Sequence, residues 1–513
     1  MNNDDFQKLT DGFAKALGGR SPELEAYVES GNAHIPEGAE LLIWDVNSVH
    51  DYVFDTGNAA VIRGASEDLK KLDRSIKDGE VLDPTTCHVI YAGGGGGVAV
   101  VMAESRDAAS RALHRCYAER TLVATCTVAS APLLAEPFGR QIQRLRGVLA
   151  QKRTRIGPDA EASIPTLARR CRICGRRAAA LAPERTRGPR DECLPCYNRL
   201  ERGKRGKDPD EADGFESIAG PSRKLGVVYL DGNGIGDTFA QLRSPWAYRQ
   251  FSQALDQLTE KILGKIKGDY RLDESRYQNP IAGGDDIVLI VPGDRALPLA
   301  RDLLKAFVRD AAKNEVLRTC APDRTVGAAV GVALGKMKLP IRHLINEAED
   351  LLKKGAKKRI YSSERPSTAL DFNVVDDGST RRSFAKAPRF EKRPDGSLAF
   401  SAKPYTLEEF QTFTERREVL LKLATSQRHA LRQVGELGPN QTRNHVLYQI
   451  GRHETWQAVA RELAGDGSAD PTVDPDVAMA CFIHDYGSPN DKLFTLDVGD
   501  VLEVEGYWGR EFP

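Results

Sequence analysis

NPIAGGDDIVLIV, residues 279–291, decides how the chain is read. An apolar run leads in, Gly283 and Gly284 make a corner, Asp285 and Asp286 follow, and a second apolar run leads out. The pattern predicts a β-hairpin with adjacent carboxylates at its tip. Two like charges side by side repel, and each is costly to take out of water. A solvated turn avoids the cost by exposure, and a lone GGDD is more often that. A divalent cation removes it by neutralisation, and a third carboxylate at the same place would favour the cation.

Working outward, KLGVVYLDGNGIGDTF (224–239) predicts a strand ending at Asp231, then a glycine loop. A helix follows, with Ser244 as N-cap and Pro245 at its first position. After the hairpin come a helix over 295–314, a strand over 325–334 and a helix over 340–358. This is the β-α-β-β-α-β order of a ferredoxin-like unit. In such a sheet the first and third strands are central neighbours, so Asp231, Asp285 and Asp286 are expected to converge. Three carboxylates suit one or two Mg²⁺ or Mn²⁺ ions, which take oxygen ligands and bridge to nucleotide phosphates. The loop Gly232, Asn233, Gly234, Ile235 and Gly236 offers backbone N–H groups that can cradle a triphosphate. Of Lys353, Lys354, Lys357 and Lys358, Lys357 is the candidate to reach those phosphates, against the plainer reading of a solvated helix face.

The same order occurs upstream: AELLIWDV (39–46) as a strand, a helix, the glycine hairpin of CHVIYAGGGGGVAVVMA (87–103), a helix over 106–120 and a strand over 122–133. The chain thus contains an approximate internal duplication. Asp45 matches Asp231 in position, but AGGGGGVAV puts no carboxylate on the upstream hairpin.

Between the units lies CRICGRRAAALAPERTRGPRDECLPCY (171–197), two CxxC pairs 18 residues apart. Cys171, Cys174, Cys193 and Cys196 supply four thiolates at the spacing of a structural Zn²⁺ site, with no open position for water. Residues 141–210 hold 18 Lys/Arg against 8 Asp/Glu, whereas 465–513 hold 11 acidic and 2 basic residues. The insert's arginines are candidates for RNA phosphates, or form a solvated basic loop. Net charge is zero overall, so no global field recruits nucleic acid.

The 513 residues, 41% hydrophobic and 28% charged, predict several soluble domains. No apolar run approaches the ~18 residues of a membrane span. The N-terminus lacks a signal-peptide plan, and nine cysteines, four in two CxxC pairs and five scattered, point to a cytoplasmic protein. The expected class is α+β: a helical leader (1–40), a first ferredoxin-like unit without hairpin carboxylates (41–143), a zinc-binding insert (144–222), a second ferredoxin-like unit with GGDD (223–375), a linker (376–402) and a helical C-terminal domain (403–513), the last with a short hairpin near 493–508.

LDGNGIG, IAGGDDIVLIV and EAEDLLKKGAKK together resemble the catalytic palm of the CRISPR polymerases, the large subunits of type III CRISPR effector complexes. These are related in fold to GGDEF diguanylate cyclases. DVNSVHDYVFDTGNAAVIRGASEDL (45–69) resembles that family's first palm. The resemblance implies conversion of ATP to cyclic oligoadenylates, a 3′-hydroxyl attacking the α-phosphate of the next ATP. It implies metal at Asp231, Asp285 and Asp286, phosphates at Gly232 to Gly236, and close nucleotide approach at Gly283 and Gly284. It also implies an acceptor nucleotide on the first palm, with Arg63 and Ser66 as candidates and helix capping as the alternative for RGAS. The implied partners are other effector-complex subunits, guide RNA and target RNA. The HD nuclease domain of many members is expected to be lacking, since His50-Asp51 and His484-Asp485 have no spaced partners. A standalone palm-type cyclase of another antiviral system and a non-catalytic RNA-binding scaffold are the alternatives.

Overall fold

The structure is a computed structural model. It describes residues 22–30, 34–155, 169–179, 191–204, 214–272, 276–320, 326–361, 367–375, 390–393, 396–399, 403–436, 439–464 and 493–495, together with Val504 and Tyr507. His484-Asp485 and most of the acidic tail lie outside them.

The first unit forms a four-stranded sheet from β1 (Ala39–Val46), β2 (Cys87–Gly93), β3 (Gly96–Met102) and β4 (Cys126–Pro132). Its order is β2-β3-β1-β4, all neighbours antiparallel. Helices α1 (Ala59–Lys77) and α2 (Arg106–Thr121) complete the predicted order. Asn58 caps α1, its Oδ1 accepting the Val61 N–H at 3.1 Å. A further helix, α3 (Phe138–Arg155), follows β4 and runs across the expected boundary at 143/144. The insert contributes α4 (Leu194–Lys204).

The second unit repeats the plan with β5 (Lys224–Asn233), α5 (Ile235–Gln241), α6 (Pro245–Asp269), β6 (Gln278–Gly283), β7 (Asp286–Pro292), α7 (Gly293–Lys313) and β8 (Gly327–Lys336). Ser244 caps α6 as predicted, accepting the Ala247 N–H at 3.2 Å. The helix α8 (Ile341–Asp350) continues through a wide π-helical turn (Leu351–Ala356) into Lys357–Ile360. A strand the sequence reading missed, β9 (Thr368–Val375), pairs parallel with β8, so the sheet order is β6-β7-β5-β8-β9.

Alternate strand residues point to opposite faces, and two cores result. Leu41, Ile43, Val228 and Leu230 enter one; Leu42, Trp44, Val227 and Tyr229 enter the other. Each core draws on both units, so the two palms are packed together rather than strung apart. The structure adds detail to three domain expectations. The helix Pro22–Ser30 of the expected leader buries Leu24, Tyr27 and Val28 in the first core against α6 and β2. The expected linker contains strands Phe390–Arg393 and Gly396–Ala399, the latter pairing parallel with Leu493–Thr495. The expected C-terminal hairpin is represented only by that third strand among the described residues. The expected helical C-terminal domain contributes helices Leu407–Leu420, Thr425–Glu436, Pro439–Ile450 and Glu454–Ala464.

Candidate active site between two palms

β5 pairs with β7 with Leu230 opposite Ile287, so the next step along both strands sets Asp231 beside Asp286. β6 and β7 close on the pair Gly283 and Asp286, leaving Gly284 and Asp285 as the turn. Gly284 takes a φ of 59°, which glycine alone adopts without penalty. A Cβ on Gly232 would stand 2.9 Å from that of Asp285, so the loop after Asp231 runs directly under the hairpin tip. The three predicted carboxylates therefore lie at one corner.

Their electrostatics are unfavourable in the absence of a cation. Burial, then the Asp231 charge, pushes Asp285 up to about 7. Burial, then Asp231 and Asp285, pushes Asp286 up to about 8. Lys357 forms an ion pair with Asp231, so the lysine singled out from the sequence reaches a carboxylate. Lys353 and Lys354 pair with Glu349 and Asp350 one turn back.

The donor set suits a hard cation. Mg²⁺ characteristically takes one or two carboxylates plus substrate phosphates. Asn233, 9% exposed, leaves both Oδ1 and Nδ2 without a partner in the same loop, a buried polar group awaiting a ligand. The three carboxylates are not drawn to a common point: among the described residues, only the four cysteines bring three or more such ligand atoms within 4.8 Å of one another. Gly234 makes the loop turn with a φ of 74°, and the seven-residue α5 starts at Ile235. Gly236 has open space where a side chain would be.

The second palm's hairpin meets the first palm's. A Cβ on Gly283 would lie 3.5 Å from the backbone of Gly94. On one side of this contact is a cavity of about 570 Å³, with Asp45, Ser48, His50, Ser66 and Arg153 from one unit or its following helix and Tyr229, Asp286 and Lys353 from the other. On the other side is one of about 580 Å³ between α1 and α6, with Lys70, Asp73, Lys77 and Tyr91 facing Asp256, Thr259, Lys267 and Tyr277. In the first palm Asp45 sits opposite Gly96 and forms an ion pair with Arg153 at 2.6 Å. Gly94 and Gly95 form a tip bearing no carboxylate.

The structure separates the two residues singled out in RGAS. Ser66 lines the cleft, but Arg63 turns the other way and its Nε donates to the Gly203 carbonyl at 3.0 Å. That carbonyl belongs to the cysteine module. A Cβ on Gly64 would collide with the Arg199 carbonyl, and one on Gly203 with the Ala60 carbonyl, so α4 crosses α1 at a backbone-to-backbone approach. Arg199, 1% exposed, lies over the Tyr52 ring at 4.1 Å and reaches buried Asp55, which also accepts Arg177 at 2.7 Å. Arg202 pairs with Asp68. These insert arginines, open to RNA on the sequence reading, are held by the first palm. The four cysteines gather with Cys174 half-buried and the rest buried, and a hydrogen bond from Cys196 holds Cys193 down to about 5.

Sequence reasoning missed Asp256 and Thr259, which reach the second palm's tip at Gly284, and Asp73 and Arg153, which reach Gly95 and Asp45 of the first. The one local signal was a carboxylate and a hydroxyl at i and i+3 on α6, beside the apolar stripe Leu255, Leu258 and Ile262.

Residues 224–364 match the family model of the Cas10/Cmr2 second palm domain. No curated protein sequence matches the chain. Among solved structures, Csm1 of T. onnurineus is 14% identical with a TM-score of 0.52, the alignment covering 87% of this chain and 70% of that one. A Csm1–Csm4 cassette chain solved in complex with cA4 gives 13%, 0.52, 91% and 69%; one in complex with cA3 gives 14%, 0.50, 88% and 70%. Such identities speak to the fold. The chain thus carries, over residues 224–364, a domain matching the Cas10/Cmr2 second palm, set within a Csm1-like fold.

Proposed function

We propose that the second palm is a metal-dependent nucleotidyltransferase that converts ATP to cyclic oligoadenylate, acting as the large subunit of a type III CRISPR effector. The observation that supports this is the strand register that brings Asp231, Asp285 and Asp286 to one corner, with Asp286 lining the cleft between the palms. The family match and the cA3- and cA4-bound Csm1–Csm4 relatives support the choice of ATP. A bound Mg²⁺ or Mn²⁺ would lower the pKa of the attacking hydroxyl and neutralise charge on the transferring phosphate. Asp231, Asp285 and Asp286 would hold it. Gly232 to Gly236 receive the triphosphate, with Asn233 offering its unpartnered amide. Lys357 exchanges its carboxylate partner for phosphate as nucleotide enters. Gly283 and Gly284 keep the tip bare enough for close approach. Ser66 and the Arg153–Asp45 pair bind the acceptor nucleotide on the first palm. Zn²⁺ on Cys171, Cys174, Cys193 and Cys196 fixes the insert against α1. Effector subunits, guide RNA and target RNA are the expected partners.

The test is to incubate the purified protein with each NTP and Mg²⁺ or Mn²⁺, with and without candidate RNA, and to identify products by mass. Cyclic oligoadenylates that vanish in Asp285→Asn/Asp286→Asn are expected. Unchanged product from that double variant would overturn the assignment.

A further inference from the structure

A two-residue hairpin tip is a poor platform for a metal ligand. Glycine has more backbone freedom than any other residue, and Gly284 stands immediately before Asp285. Its conformation decides where both carboxylates point. Two side chains one turn apart on α6 restrain it. The Asp256 Oδ1 accepts the Gly284 N–H at 3.0 Å, and the Thr259 hydroxyl donates to the Gly284 carbonyl at 2.6 Å. The N–H belongs to the peptide plane between Gly283 and Gly284; the carbonyl belongs to the plane between Gly284 and Asp285. Both planes flanking the one soft pair of dihedrals are therefore pinned to a helix anchored in the core by Leu255, Leu258 and Ile262.

The first palm carries a related contact one position later in the turn, at Gly95, which the register aligns with Asp285 rather than with Gly284. Asp73 of α1 accepts the Gly95 N–H at 3.2 Å, and the Tyr117 hydroxyl donates to the Gly95 carbonyl at 2.9 Å. A helix carboxylate and a hydroxyl thus also hold the backbone of a tip that bears no carboxylate, so contacts of this kind can restrain a turn without being metal ligands themselves.

We infer that Asp256 and Thr259 are positioning residues that clamp Gly284 and thereby set the metal-binding geometry of Asp285 and Asp286. The inference rests on the metal reading of the hairpin. Contacts that orient metal ligands typically contribute 10–100-fold to metal affinity.

The experiment titrates Mn²⁺ into the full-length protein by electron paramagnetic resonance, without nucleotide, and in parallel measures the Mg²⁺ dependence of product formation. Asp256→Ala and Thr259→Val are expected to weaken Mn²⁺ binding by roughly 10-fold or more and to raise the half-saturating Mg²⁺ similarly. Asp256→Asn and Thr259→Ser keep the acceptor and the donor, so both are expected within about 2-fold of wild type, well short of that loss. Should Asp256→Ala fail to fold, Thr259→Val, close to threonine in shape, carries the test. Wild-type Mn²⁺ affinity in a folded Asp256→Ala or Thr259→Val protein overturns the clamp, as does an Asp256→Asn protein as weak as Asp256→Ala, which would make charge and not geometry the cause. Asp286→Asn is the reference. If it leaves Mn²⁺ binding intact, the metal reading falls and the clamp's role falls with it; if it abolishes binding while Asp256→Ala does not, the clamp alone fails.

Discussion

Asp286→Asn separates the stability of the corner from its chemistry. The amide keeps the shape of the side chain and removes one charge. In the metal-free protein, burial and the neighbouring Asp231 and Asp285 push Asp286 up to about 8 from an ordinary value of 3.8. Between pH 5 and 7 the folded chain keeps this proton and the unfolded chain has lost it. The folded state then binds one more proton, and stability falls as pH rises, by up to ~1.4 kcal/mol per pH unit for each such group. The contribution is full below about pH 4 and is lost by about pH 8. Asp73 and Asp285, each pushed up to about 7, add slopes of the same sign, so the useful quantity is the difference between variant and wild type. Over two pH units Asp286→Asn gains up to ~3 kcal/mol on wild type, less what water in the cleft screens. At roughly 2–4 °C per kcal/mol for domains of 150–250 residues, the gain is a relative rise in Tm of several degrees. The assay is thermal unfolding of EDTA-treated protein from pH 5 to 8, repeated with Mg²⁺. Mg²⁺ binds the ionised form, so it should stabilise wild type increasingly with pH and the variant much less. A difference in Tm that stays flat with pH, or a variant less stable than wild type at pH 8, would refute the account of the corner as a repulsive site awaiting a cation.

Three further outcomes follow from the site and its surroundings. Asp231→Ala should lower kcat by on the order of 100-fold or more, whereas Asp45→Ala should act mainly through KM for ATP; steady-state kinetics of both decide it, and equal collapse of kcat would make the first palm a second catalytic centre. Cys171→Ser/Cys174→Ser should release one Zn²⁺ per chain and lower Tm, since binding energy at such sites is folding energy; elemental analysis finding no zinc in wild type sinks this. Gly95→Asp/Gly96→Asp in an Asp231→Ala background should restore no activity, measured by product mass, and should cost stability.

The duplication, the β-α-β-β-α-β order, the Ser244 cap and the meeting of Asp231 with the hairpin were legible because each depends on local pattern plus a topology rule. The pairing of β5 with β7 needs only strand order. What was not legible depends on long-range side-chain choices. Arg153 finds Asp45 across 108 positions, and Arg63 finds Gly203 across 140. Nothing near RGAS distinguishes a residue facing nucleotide from one facing a cysteine module; α1 presents Ser66 to the cleft and Arg63 to α4. The strand Gly396–Ala399 reads as linker because its partner, Leu493–Thr495, lies nearly a hundred residues away. β9 was missed because TALDFNVV carries polar residues at a site buried along its whole length.

Turn geometry explains why one palm keeps its carboxylates and the other does not present a vacant copy of the same site. At the first palm's tip both central residues are left-handed, Gly94 at φ 63° and Gly95 at φ 83°, the type I′ arrangement that calls for glycine twice. At the second, only Gly284 is left-handed, and Asp285 occupies ordinary backbone space. A carboxylate at position 95 would carry a left-handed penalty of roughly 1–2 kcal/mol. Its Cβ would also press on Val49 and Val46 at 3.1 and 3.3 Å. The Cβ of one at position 96 would stand 3.3 Å from the carboxylate of Asp45, which is paired with Arg153. The first palm's carboxylate is thus paired with an arginine, while of the second palm's three carboxylates Asp231 is paired with Lys357 and the other two are pushed up by burial and by their neighbours. The same fold thus presents two different corners: one whose carboxylate is paired with an arginine, and one whose carboxylates burial and mutual repulsion disfavour in the ionised form.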